Sequence, residues 1–176
     1  SLRHILKKID SQKDLLRFQD LMIISLYHDI PLRLDYASLR LGKREGNCMY
    51  KNTKKPRGWH IQLKEYKTAK TMGTRTFKLN VANQRLLNLF IPAVQKLTEH
   101  GFLLTNKTGG KMSRQVLSKT LMRITQKHIG KRFSSQLLRI LFAMKSRDII
   151  ESAKEVSDKL LHSTEQSLSY AKKDPQ

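Results

Sequence analysis

The chain predicts a mainly α fold with one small antiparallel β-sheet, an α+β domain. Three observations lead there. Long stretches carry apolar residues too dense or too helically spaced for surface strands, one stretch near the middle alternates with a period close to two, and 176 residues with 39% hydrophobic content suit a single core. Residues 1–176 are therefore expected to form one domain.

Taken in order, the segment from Gln12 to Tyr27 holds Leu15, Leu16, Phe18, Leu21, Met22, Ile23, Ile24 and Leu26, a density that suits a largely buried helix. Pro31 breaks it, and LRLDYASL after it reads as a short second helix. The polar stretch from Lys43 to Pro56, with Gly46, Asn47 and Asn52, reads as loop or irregular edge. Between Trp59 and Lys78 the pattern changes: Trp59, Ile61, Leu63 and Glu65 alternate with His60, Gln62, Lys64 and Tyr66, and TRTFKLNV resumes the alternation after Gly73. This is a β-hairpin with Lys67 to Gly73 at or near its tip. The remainder is helical in character, over Asn83 to His100, Ser113 to Ile129, Ser134 to Lys145, Asp148 to Leu161 and a short last segment around Gln166 to Lys172. Gly101, Gly109, Gly110 and Gly130 punctuate these segments, as expected of helix ends and turns.

Charge says most about partners. Against 35 Lys and Arg stand 14 Asp and Glu, a net +21 that exceeds what solubility requires and points to a polyanion. Basic residues run through the whole chain and are not gathered on one amphipathic helix, which favours nucleic acid over a membrane surface. Neutralising RNA inside a larger assembly is the bland alternative. The single cysteine, Cys48, excludes an internal disulfide framework and a zinc cluster of the usual kind. No apolar run approaches the roughly 20 residues that span a bilayer, and SLRHILKKID lacks the apolar core of a signal peptide, so a soluble, intracellular protein is expected. The start at Ser1 instead of Met leads us to expect a natural portion preceding this chain. There is no phosphate-binding loop, no HExxH and no acidic cluster suited to Mg²⁺, so neither metal nor nucleotide cofactor is expected. The Gly109–Gly110 pair reads as a turn, not a phosphate cradle.

Four stretches carry chemistry: PLRLDYASLRL (31–41), YKTAKTMG (66–73), SSQLLRILF (134–142) and LLHSTEQSLSYAKK (160–173). In order and spacing they resemble the catalytic domain of the tyrosine recombinases, the phage-type integrases, over roughly Leu15 to Lys173. The hairpin and the PLRLDY segment look most like the integrases of virophages and large eukaryotic DNA viruses. In that family an Arg closely followed by an acidic residue comes after the first long helix, the place of Arg33 and Asp35. A Lys sits on a β-hairpin, matched by Lys67, with Lys70 three residues on as an alternative. A His-x-x-Arg motif opens a later helix, matched by Gln136 and Arg139. A Leu-Gly-His-Ser segment precedes the nucleophilic Tyr, and here His162 and Tyr170 stand eight apart.

The chemistry agrees with that mapping. Cleaving a phosphodiester without metal needs cationic donors on its non-bridging oxygens, and the planar forks of Arg33 and Arg139 suit phosphate. Each Arg alone would read as a solvated side chain; four motifs in order change that. Arg139 is expected to project away from an apolar face of Leu137, Leu138, Leu141 and Phe142 that anchors its helix in the core. Tyr170 would attack phosphorus and hold the DNA end covalently, His162 would donate to the phosphate, and Lys67 would protonate the leaving 5′ oxygen. Gln136 departs from the family, which commonly has His or Lys there. A Gln amide bonds phosphate oxygen but exchanges no proton near neutral pH.

The resemblance implies the integrase catalytic-domain fold and site-specific DNA recombination through a 3′-phosphotyrosyl intermediate. It also implies double-stranded DNA as partner, a homo-tetramer on DNA for the full-length protein with this fragment a monomer, and an N-terminal clamp domain outside the chain. Localisation would be intracellular, at DNA in the nucleus or at a viral replication site. A type IB topoisomerase-like enzyme and a catalytically degenerate DNA-binding module of the same fold are the alternatives, the second favoured by Gln136.

Overall fold

Ser11 opens the first helix by accepting the Asp14 amide proton at 3.1 Å, and α1 runs Gln12–Asp29. The computed structural model describes residues 9–42 and 45–160. Leu15, Phe18, Met22, Ile23 and Leu26 of α1 are fully buried, as their density predicts. Past Pro31 the expected second helix is only a 3₁₀ turn, Asp35–Ser38. Tyr36 explains the arrest: its ring is buried and its hydroxyl donates to the carbonyls of Leu26 and Ile30 at 3.1 and 2.7 Å, so the turn is pinned to the end of α1.

The sheet has four strands in the order β1 (Arg40–Leu41), β2 (Cys48–Asn52), β3 (Gly58–Leu63) and β4 (Arg75–Lys78). It is mixed, not antiparallel as the sequence predicted. β1 pairs parallel with β2, while β2–β3 and β3–β4 are antiparallel. The difference comes from β2, which the sequence presented as loop. Its Cys48 and Met49 are fully buried and Lys51 is exposed. With only two strongly buried positions between turn-forming residues, β2 carries too little periodicity to be seen locally. The hairpin of β3 and β4 is as expected, with Ile61 opposite Phe77; the loop between them contains a one-turn helix α2 (Ala69–Met72).

Helix α3 (Val81–Leu97) begins at Asn80, whose side chain accepts from the Asn83 amide. It packs on α1, with Phe18 and Phe90 stacked at 5.8 Å between centroids. Helix α4 (Arg114–Ile129) begins at Ser113, ends at Gly130 in the left-handed conformation (φ 75°), and packs on α1 and the 3₁₀ turn. Helix α5 (Ser135–Leu160) is a single element where two were expected. At the anticipated break Ser146 donates to the Phe142 carbonyl at 2.9 Å and Arg147 pairs with Glu151 at 3.0 Å, both within the helix. The described residues thus give a mixed α/β architecture of five α-helices and one four-stranded sheet. They cluster as one unit ending at Leu138 and a second beginning at Arg139. The core of the first unit lies among α1, α3, α4 and the buried face of the sheet.

Candidate functional site

Arg33 lies in the extended segment between α1 and the 3₁₀ turn, its side chain exposed and its backbone held. The Tyr27 hydroxyl donates to the Arg33 carbonyl, and two residues on the buried carboxylate of Asp35 meets Arg114, the first residue of α4, at 3.5 Å. Burial, and then the nearby Asp35 charge, push the Tyr27 phenol well above its ordinary range, with Arg114 opposing them. The phenol therefore stays a donor. Burial first, then Tyr27 and Asp29, does the same to Tyr36. The result is an exposed guanidinium on a backbone clamped from α1 and α4.

Lys67 sits exposed in the turn that leaves β3, immediately before α2, and Lys70 is exposed within α2. The Tyr66 hydroxyl closes this loop by donating to the Gly73 carbonyl at 2.7 Å. The base of the loop is fixed by Asn47, a residue with no part in the sequence-derived site. Its side-chain oxygen accepts the amides of Lys64 and Glu65, each at 2.8 Å. Its Nδ2 donates to the Glu65 carbonyl at 2.6 Å and to the Ser38 hydroxyl at 3.2 Å. Asn47 thereby ties the segment leading into Lys67 to the 3₁₀ turn that follows Arg33 and begins at Asp35. Because this link joins residues 9 and 18 positions from Asn47, nothing local in the sequence announces it. Arg114 was equally hidden, reading only as the start of a helix.

Gln136 is exposed on the first turn of α5. That turn is anchored from α4: the Thr125 hydroxyl accepts the Phe133 amide at 2.9 Å, Ser134 caps Leu137 at 3.2 Å, and Leu138 packs on the core. Arg139, three positions on, is half-buried and belongs to the second unit. Leu138 packs on the core of the first unit, and Leu141 and Phe142, in the second unit, are each 42% exposed. His162 and Tyr170 lie outside the described residues.

Family models, curated proteins and solved structures yield no match to this chain.

The Gly109–Gly110 turn is occupied by its own hydrogen bonds. Asn106 Oδ1 accepts from the amides of Thr108 and Gly110 at 2.9 and 3.0 Å, and the Gly109 amide bonds the Asn106 carbonyl. The amides of Thr108, Gly109 and Gly110 are all engaged within the turn. Among the described residues there is no group of three or more His, Cys, Asp or Glu placed to hold a metal ion, and no helix is long and apolar enough to cross a membrane.

Proposed function

We propose that this chain is the catalytic domain of a tyrosine recombinase, which breaks and rejoins DNA strands through a 3′-phosphotyrosyl intermediate. The Tyr170 hydroxyl gives up its proton to solvent water and its oxygen forms a bond to phosphorus as the bond to the 5′ oxygen breaks, and Lys67 delivers the proton that the leaving oxygen takes up. Arg33 and Arg139 bond the non-bridging oxygens, where charge builds in the transition state, and His162 and Gln136 add donors there. The energy of the broken phosphodiester is kept in the phosphotyrosine. Rejoining therefore needs no nucleotide.

One observation carries the reading. Arg33 and the turn bearing Lys67, assigned from separate motifs, are both exposed, and Asn47 stitches their supporting segments together. The excess of 21 positive charges supports DNA as the polyanion. Gln136 favours a second reading, a DNA-binding module of the same kind that no longer cuts.

Nicked duplexes whose short cleaved fragment diffuses away trap a covalent adduct and separate the two. Incubated with a randomised library of such duplexes, the chain is expected to yield a protein–DNA adduct that survives denaturation, with Arg33→Ala reducing its rate at least about 100-fold, the scale for loss of a transition-state donor. DNA binding without adduct would favour the second reading.

A further inference from the structure

A second pair of cations, distinct from Arg33 and Lys67, gathers around the ring of Phe102. Arg40 on β1 and Phe102 face each other in an antiparallel bridge. The flanking bonds, Leu41 amide to Gly101 carbonyl and Leu103 amide to Leu39 carbonyl, are both 2.9 Å, which makes 40 and 102 a non-hydrogen-bonded pair, the kind whose side chains come closest. The Arg40 guanidinium carbon lies 4.9 Å from the ring centroid. Lys111 reaches the same ring from the far side of the Asn106–Gly110 turn, with its ammonium nitrogen at 4.0 Å.

Both cations are carried by braced backbone. Thr105 and Lys111 form a second antiparallel bridge, and the buried Gln19 side chain grips Thr105 through its carbonyl at 2.9 Å and its amide at 2.8 Å. His100 completes the group. Its Nδ1 accepts the Phe102 amide at 3.0 Å, so the neutral ring carries its proton on Nε2, and Nε2 is buried with no partner among the described residues. Burial first, and the Lys111 charge second, hold this imidazole below its ordinary value, which keeps the ring neutral near pH 7.

Two like charges gathered on one ring repel each other, and among the described residues neither Arg40 nor Lys111 has an ion pair with a carboxylate. Cation–π attraction holds each side chain over the ring without neutralising it. Such a mount keeps two cations ordered and unspent. We infer that Arg40 and Lys111, held on Phe102, form a binding site for a backbone phosphate of nucleic acid, outside the proposed strand-cleavage residues. The ring carries cations over it, so it orients charge and is not a stacking platform for a base. The inference rests on the DNA-binding part of the proposed function and is independent of strand cleavage.

The test is binding of a short duplex of arbitrary sequence by the Tyr170→Phe chain, measured over a range of salt, with and without Arg40→Gln and Lys111→Gln together. Loss of one phosphate contact is expected to lower the slope of log affinity against log salt by about 1 and to weaken binding about tenfold at low salt. In the parent chain the duplex should also protect Lys111 from acetylation. Unchanged affinity and slope in the double variant, with the parent still binding duplex, would overturn this site and leave the proposed function standing. Failure of the parent to bind any duplex would overturn both. Equal protection of Lys111 by polyglutamate at matched charge would also overturn the assignment, by pointing to an acidic protein as partner.

Discussion

Asn47 shows how far one side chain can reach in this molecule. Its amide bonds two backbone N–H groups, one carbonyl and one hydroxyl, and thereby fixes the approach to Lys67. Removing it leaves donors at Lys64 and Glu65 without their partner, and each unsatisfied group costs about 1 to 3 kcal/mol. Asn47→Ala is expected to lower unfolding free energy by about 2 to 3 kcal/mol, read by urea denaturation, a magnitude set by partial rehydration of these part-buried groups. Tyr27 and Tyr36 make a second prediction at this scale. Their folded-state ionisation lies above the unfolded value of about 10, so the stability they contribute is complete below that pH and is lost as pH rises through the folded values. In an ultraviolet titration of tyrosinate both should ionise only as the chain unfolds in alkali. Neither Asn47 nor these phenols stood out in the sequence, because their roles depend on partners brought up by the fold: Ser38 and Glu65 for the one, Asp35 and Arg114 for Tyr27. Arg33 and Lys67, by contrast, were singled out by the order and spacing of motifs that resemble those of the tyrosine recombinases.

At the level of elements, α1, α3, α4 and the β3–β4 hairpin were legible because each shows its period over many residues. The β2 strand was not. It has two fully buried positions, and its support comes from neighbours on both sides. Another unannounced device closes the end of β3. The Gln84 side chain on α3 accepts the Trp59 amide at 2.5 Å and donates to the Trp59 carbonyl at 2.9 Å, beside the Leu79 amide that bonds the same carbonyl at 3.2 Å. Gly58 makes room for it. The φ of Gly58 is 118°, and a Cβ there would lie 2.6 Å from Gln84 Oε1. Gly58→Ala therefore combines backbone strain with displacement of a bonded amide. A loss of about 2 to 4 kcal/mol is expected in the same denaturation measurement, with strain alone accounting for about 1 to 3 of it. Helix α5 was read as two elements, Ser134 to Lys145 and Asp148 to Leu161. Between them Ser146 bonds back to Phe142, a bond that only the continuous helix can make.

Over the whole molecule, charge is the property the sequence showed most directly. If every one of the 14 carboxylates were paired, 21 cations would remain without an internal partner. The pairs present include Arg123 with Asp20 at 2.7 Å and Lys96 with Asp10 at 3.5 Å, both at the surface, where such contacts stabilise by about 1 kcal/mol or less. The excess is thus not taken up by ion pairs within the chain. Where its cations are ordered was not legible: only the bridges at Arg40 and Lys111 bring charge over the Phe102 ring. The strand-cleavage assignment depends on residues from both units and from the stretch beyond 160, and its nucleophile is Tyr170. The decisive measurement is to digest the adduct formed on nicked duplex DNA and identify the modified peptide by mass. A phosphonucleotide on Tyr170, and no adduct from Tyr170→Phe, is the expected result; an adduct that persists in Tyr170→Phe, or attachment at any other residue, would contradict it.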